Sequence, residues 1–76
     1  MSRIQEKNRT LILDAALKEF SRYGFSGATV ERIAAEAGMS KSNLLYYFSS
    51  KEAIYTAALA HILDVWLAPL KTLDRD

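Results

Sequence analysis

Apolar residues recur along the chain at helical spacing, and no stretch alternates apolar and polar positions as a half-buried strand would. Ile12, Ala16, Phe20 and Tyr23 fall at steps of four, four and three, so they share one face of a first helix predicted over 5–23. Lys18, Glu19 and Arg22 fall elsewhere on that wheel. Gly24 can take the left-handed conformation that ends a helix, and 24–28, with Ser26 and Gly27, reads as a short turn. Thr29 is a good N-cap for a second helix, whose inner face is Val30, Ile33, Ala34 and Ala37 and which Gly38 stops. Ser40 caps a third helix predicted over 41–48, anchored to the core by Leu44 and Phe48. Ser49 and Glu52 have the spacing of a capping box and open a fourth helix. That helix is predicted to reach 67 or 68, because Pro69 lacks an amide hydrogen and disfavours helix in the residue before it. The chain is therefore all-α, with two short helices between two longer ones.

The most specific local pattern lies within 30–49. Two short helices at a steep angle need a small residue where they cross, a positive φ at the turn and an apolar plug between them. Ala34, Gly38 and Leu44 supply these in order, which is the pattern of a helix-turn-helix. Opposite Leu44 and Phe48, the third helix carries Ser42, Asn43 and Tyr46, flanked by Lys41 and Tyr47. A solvated helix usually presents pairs of opposite charge. An acid-free face of short hydrogen-bonding side chains and tyrosines instead suits a DNA major groove. The same residues could also build a plain helical hairpin, or a helical protein-interaction module in which the tyrosines meet a partner protein.

Charge sharpens the picture only locally. The net charge is +1, too small for a protein that coats nucleic acid without regard to sequence. From 37 to 51 there are two lysines and no acid, while Glu36 and Glu52 stand just outside. The opening stretch sets Arg3, Lys7 and Arg9 against Glu6. With 76 residues the chain makes one small domain of marginal stability on its own. It has no Cys and a single His, His61, which rules out a disulfide framework and a Cys- or His-rich metal site. Without a catalytic constellation, neither enzyme activity nor a cofactor is expected. His61, between Ala60 and Ile62, reads as structural. The apolar runs are too short for a signal-peptide core or a membrane span, so the expected location is the cytoplasm.

Three runs carry a family resemblance: Thr29-Val30-Glu31-Arg32-Ile33-Ala34, then Ala37-Gly38-Met39-Ser40-Lys41-Ser42-Asn43-Leu44, then Tyr46-Tyr47-Phe48 with Ser50-Lys51-Glu52-Ala53. Together they resemble the N-terminal DNA-binding domain of TetR-family transcriptional regulators, a homeodomain-like helix-turn-helix followed by a connecting helix. The resemblance covers about 10–70. Its runs at 43–48 and 62–70 are most similar to the branch of that family that regulates pyrimidine utilisation. The resemblance implies that the third helix enters the major groove, where positions matching Ser40, Lys41, Ser42, Asn43, Tyr46 and Tyr47 touch bases or phosphates. It also implies phosphate contacts at Lys51, at the start of the fourth helix, and at Thr29, at the start of the second. Two positions depart from the pattern, because many members have Tyr where this chain has Leu45 and His where it has Tyr47. Leu45 cannot hydrogen-bond a phosphate; it either meets a thymine methyl or packs. Plainer roles stand beside each site: solvated lysines for Lys41 and Lys51, a capping partner for Asn43, a cap for Thr29, and half-buried core for one of the two tyrosines.

The fourth helix is apolar over much of its circumference, through Ile54, Ala58, Ile62 and Val65 on one stripe and Tyr55, Leu59, Ile62 and Trp66 on another, broadened by Leu63 and Leu67. Three short helices can cover only one side, so the rest reads as an interface, or else the tail folds back on the first helix. The expected organisation is a DNA-binding domain at 1–50 and, from 51 to 76, a connecting helix that begins a C-terminal regulatory domain lying beyond the chain. The resemblance implies that such a domain forms a homodimer and binds a small-molecule effector. The dimer would meet a palindromic operator in double-stranded DNA, with repression the commoner outcome and a pyrimidine as the suggested effector.

Overall fold

A computed structural model describes the backbone from Arg3 to Asp74 and the side chains from Arg3 to Asp64. Four helices follow in order: α1 (Arg3–Gly27), α2 (Val30–Ala37), α3 (Lys41–Tyr47) and α4 (Lys51–Asp74), with no strand among the described residues. The helix α1 packs on α2 and α4, and α2 packs on α3. The largest fully buried side chains are Ile12, Ile33, Leu44 and Ile54, one from each helix, so all four share a single core. Burying a side chain of this size contributes about 1.5–3 kcal/mol. Leu13, Ala15, Ala16, Ala34, Phe48 and Ala58 complete this core.

Gly24 breaks α1 where a break was expected. Its φ of 73° and ψ of 174° interrupt the helical path, but one further helical turn forms before Gly27, closed by the Ala28 amide donating to the Gly24 carbonyl at 3.1 Å. This extra turn folds Phe25 back, so that its ring lies 6.0 Å from Phe20 and 5.1 Å from Tyr55 of α4. The inner face of α1 also differs from the expected stripe. Tyr23 is half exposed, and the Arg32 guanidinium lies over its ring at 4.7 Å. Glu19, read as lying off the apolar face, is buried instead. The buried positions run Ile12, Leu13, Ala15, Ala16 and Glu19, a face turned by one residue from the predicted one. The cause is that α1 must meet α2 and α4 together.

Two expectations about α4 also change. Its cap is Ser50 rather than Ser49: the Ser50 hydroxyl accepts from the Ala53 amide at 3.1 Å. Because Phe48 leaves α3 in extended conformation, Ser49 falls within the connection and the helix starts one residue later. The helix then continues through Pro69 to Asp74 instead of stopping at 67 or 68. Proline costs a helix one hydrogen bond and strains the preceding residue, yet its own φ is helical, so a helix can be kept through it. Ile54 and Ala58 are buried as expected, whereas Tyr55, Leu59 and Leu63 of the second stripe remain exposed. The apolar positions from Val65 to Leu73 lie outside the described side chains. No helix is long and apolar enough to cross a membrane among the described residues.

Candidate nucleic-acid interface

Helix α3 is positioned by local chemistry at both ends of α2 and at its own start. Thr29 has extended backbone, and its hydroxyl accepts from the Arg32 amide at 3.1 Å, which starts α2. At the other end of α2, Gly38 has a φ of 77°, where a side chain would be strained. Its amide donates to Ala35 and the Met39 amide to Ala34, the paired bonds of a Schellman turn. Two residues later the Ser40 hydroxyl accepts from the Asn43 amide at 3.0 Å and begins α3. Leu44, fully buried in the same core cluster as Ile33 and Ala34, fixes the rotation of α3 about its axis.

That rotation decides what faces solvent. Lys41, Ser42, Asn43, Leu45 and Tyr46 are exposed, with Tyr46 at 73%. The predicted Ser42–Asn43–Tyr46 face therefore points outward. Asn43 is the partner of the Ser40 cap through its backbone amide, and its side-chain amide donates to the Met39 sulfur at 3.7 Å on an exposed surface. Leu45 is 39% exposed and lies outside the buried core. Tyr47 is the half-buried member of the tyrosine pair, and its ring meets that of Tyr46 edge-on at 5.2 Å.

The lysines are engaged in ways the linear sequence does not reveal. Lys41 pairs with Glu31 of α2 at 2.8 Å, and its hydrogen bond holds the Glu31 carboxyl below the usual carboxylate range. The acid-free window is a property of the sequence; in space α2 brings an acid to its edge. Both partners are exposed, so the pair contributes little to stability. Lys51 is more deeply held. Its ammonium donates to the carbonyls of Phe25 at 2.7 Å and Ala28 at 3.1 Å, and lies 4.5 Å from the Phe25 ring centre. Two of its three donors thus tie α4 to the corner between α1 and α2, leaving one for an outside acceptor. His61 approaches Asp14 with its Nε2 at 3.6 Å and joins no metal-binding cluster among the described residues.

Sequence reasoning noticed Arg9 only as charge and overlooked Asn8. The side-chain amide of Asn8 donates to the Tyr47 hydroxyl at 3.1 Å, and the Arg9 guanidinium lies 5.1 Å from the Phe48 ring centre. Gln5, Arg9, Tyr46 and Tyr47 line a shallow groove between the start of α1 and the end of α3. No short motif links positions 39 residues apart, so only the fold could bring Asn8 to Tyr47.

Residues 12–58 match the family described as bacterial regulatory proteins, tetR family. The chain is 56% identical over 75 residues to the HTH-type transcriptional regulator RutR of Escherichia coli K12, covering 99% of this chain and 35% of that protein. It is 42% identical over 62 residues to the HTH-type transcriptional repressor NicS of Pseudomonas putida, covering 79% of this chain and 29% of that one. Similarity also extends to the HTH-type transcriptional regulator BetI of Burkholderia thailandensis, at 32% over 66 residues, 86% of this chain and 34% of BetI. The chain thus spans about a third of the length of these relatives.

Proposed function

The chain belongs to the tetR family of bacterial regulatory proteins, and on that premise we propose that it is the DNA-reading head of a ligand-responsive transcriptional repressor. The observation that carries the reading is the orientation of α3. Leu44 is buried to completion while Ser42, Asn43 and Tyr46 on the far side are exposed. Placed in a major groove, Asn43 reads base edges, Ser42 and Tyr46 add hydrogen bonds, and Leu45 offers an apolar contact to a thymine methyl. Ser40, Lys41, Thr29 and Tyr47 then lie at the groove margins as phosphate contacts, with Lys41 released from Glu31. Lys51 contributes its remaining donor from the start of α4, where backbone amides also favour an anion.

In this reading 1–50 is the DNA-binding domain, and 51–76 is the connecting helix that leads into a regulatory domain lying beyond this chain. The exposed Tyr55, Leu59 and Leu63 of α4 support an interface of that kind. A homodimer held by such a domain would set two heads on the half-sites of a palindromic operator about one DNA turn, roughly 34–36 Å, apart. A small-molecule effector that shifts α4 would disturb that spacing and release the DNA. The similarity to the pyrimidine-utilisation branch makes a pyrimidine the first effector to test, and cytoplasmic DNA the expected target.

The test is selection of bound duplexes from a random pool, followed by titration of the selected duplex across a range of salt. Enrichment of one palindromic sequence, with affinity falling steeply as salt rises, is the expected result. No enrichment at low salt, or salt-insensitive binding to a protein instead, would refute the reading.

A further inference from the structure

The bond between Asn8 and Tyr47 has a direction, and the direction has a consequence for DNA contact. The side-chain amide of Asn8 is the donor and the phenolic oxygen of Tyr47 the acceptor, 3.1 Å apart. A phenol has one proton to donate and lone pairs to accept with. Since Asn8 fills an acceptor position, the phenol's own proton is turned elsewhere. Tyr47 is half-buried beside exposed Tyr46, in the groove that Arg9 also lines. Arg9 in turn stacks over Phe48, so the start of α1 holds the end of α3 at two consecutive residues.

We propose that Asn8 is a positioning residue for DNA binding, orienting the Tyr47 hydroxyl as a donor toward a phosphate oxygen. The inference rests on the DNA-binding reading of α3 and extends it to a helix that would not itself enter the groove. A phosphate ester accepts hydrogen bonds and donates none, so it is complementary to a tyrosine whose lone pair is already engaged from behind. Arg9 beside the same groove adds the matching positive charge.

The test is a double-mutant cycle on the full chain. The probe is the duplex selected by the wild type, and binding is measured where circular dichroism shows each variant folded. Tyr47→Phe removes the donor and should weaken binding about tenfold, and Asn8→Ala should weaken it about threefold to fivefold. In the Tyr47→Phe background, Asn8→Ala should cost nothing further. Asn8→Asp is the decisive variant, and it also serves if Asn8→Ala prevents folding. Its carboxylate accepts the phenol's proton, reversing the bond and adding a charge of the phosphate's own sign, so binding should fall tenfold or more. The role of Asn8 is overturned if Asn8→Ala costs as much without the Tyr47 hydroxyl as with it, or if Asn8→Asp binds like the wild type. A wild-type chain that retains no duplex overturns the DNA reading itself, a result distinguishable from either of these.

Discussion

The two short helices and the two long ones are built on opposite plans. In α2 and α3 the local chemistry is complete: each begins at a capping hydroxyl, Gly38 joins them, and one buried leucine fixes their angle. The long helices α1 and α4, although Ser50 caps the second, are tied together by contacts between distant residues. The Phe20–Phe25–Tyr55 rings and the Lys51 clamp join them at one end, and Asn8 and Arg9 reach across to α3. A reading surface needs a fixed shape, which local caps supply cheaply. Two long helices are instead held to each other by contacts spread over their length.

The sharpest way to break this contrast is Leu44→Ala. Removing a fully buried wedge shared by the short helices should cost about 2–5 kcal/mol, much of the stability of so small a domain. Thermal unfolding followed by circular dichroism checks it, with Leu59→Ala on the exposed side of α4 as a control expected to change little. An unchanged melting temperature in Leu44→Ala would show that the wedge does not hold α3.

Lys51→Ala probes the contacts between the long helices. Loss of two charged hydrogen bonds leaves the Phe25 and Ala28 carbonyls without that donor and should destabilise by about 1–3 kcal/mol. It should also weaken binding to every DNA sequence alike. A change of sequence preference in this variant would place Lys51 among the reading residues instead.

Asn43→Ala should do the reverse. Its side chain lies on an exposed face, so the melting temperature should hardly move, while discrimination at one base position falls by about 1–3 kcal/mol. Repeating the duplex selection with the variant measures this, and an unaltered preference would remove Asn43 from the groove.

The smallest expected effect is at Glu31. Replacing it by Gln frees Lys41 and removes an acid from the edge of the reading face, so binding to all duplexes should tighten about twofold to threefold, read by titration at low salt. The Glu31 carboxyl is depressed in the folded chain, so the pair's contribution is present above the ordinary carboxylate value of 4.5 and is lost as pH falls through the lower folded value. Between pH 6 and 8 the advantage of the variant should therefore be flat; a marked slope there would mean that another group controls Lys41.

The difference between the two regions also explains how far the sequence could be read. Thr29, Gly38, Ser40 and Leu44 act on neighbours a few residues away, so spacing alone located α2, the turn and the outward side of α3. The cap of α4 was misplaced by one residue because Ser49 and Ser50 are adjacent and the path of the chain leaving Phe48 chooses between them. Tyr23 and Glu19 were misassigned because periodicity defines a stripe but not its rotation against two neighbouring helices.

The order and type of the helices, and the outward side of α3, were thus determined by residue order, since hydrogen-bond capping, left-handed glycine and helical periodicity act over one or two turns. Which partner each of the candidate side chains keeps was decided by tertiary structure. Glu31 on Lys41, the two carbonyls on Lys51 and Asn8 on Tyr47 span 10 to 39 residues. Such contacts form only after the core of Ile12, Ile33, Leu44 and Ile54 has set the helices side by side, because burial dictates where the backbones lie and polar side chains pair with whatever that placement brings within reach.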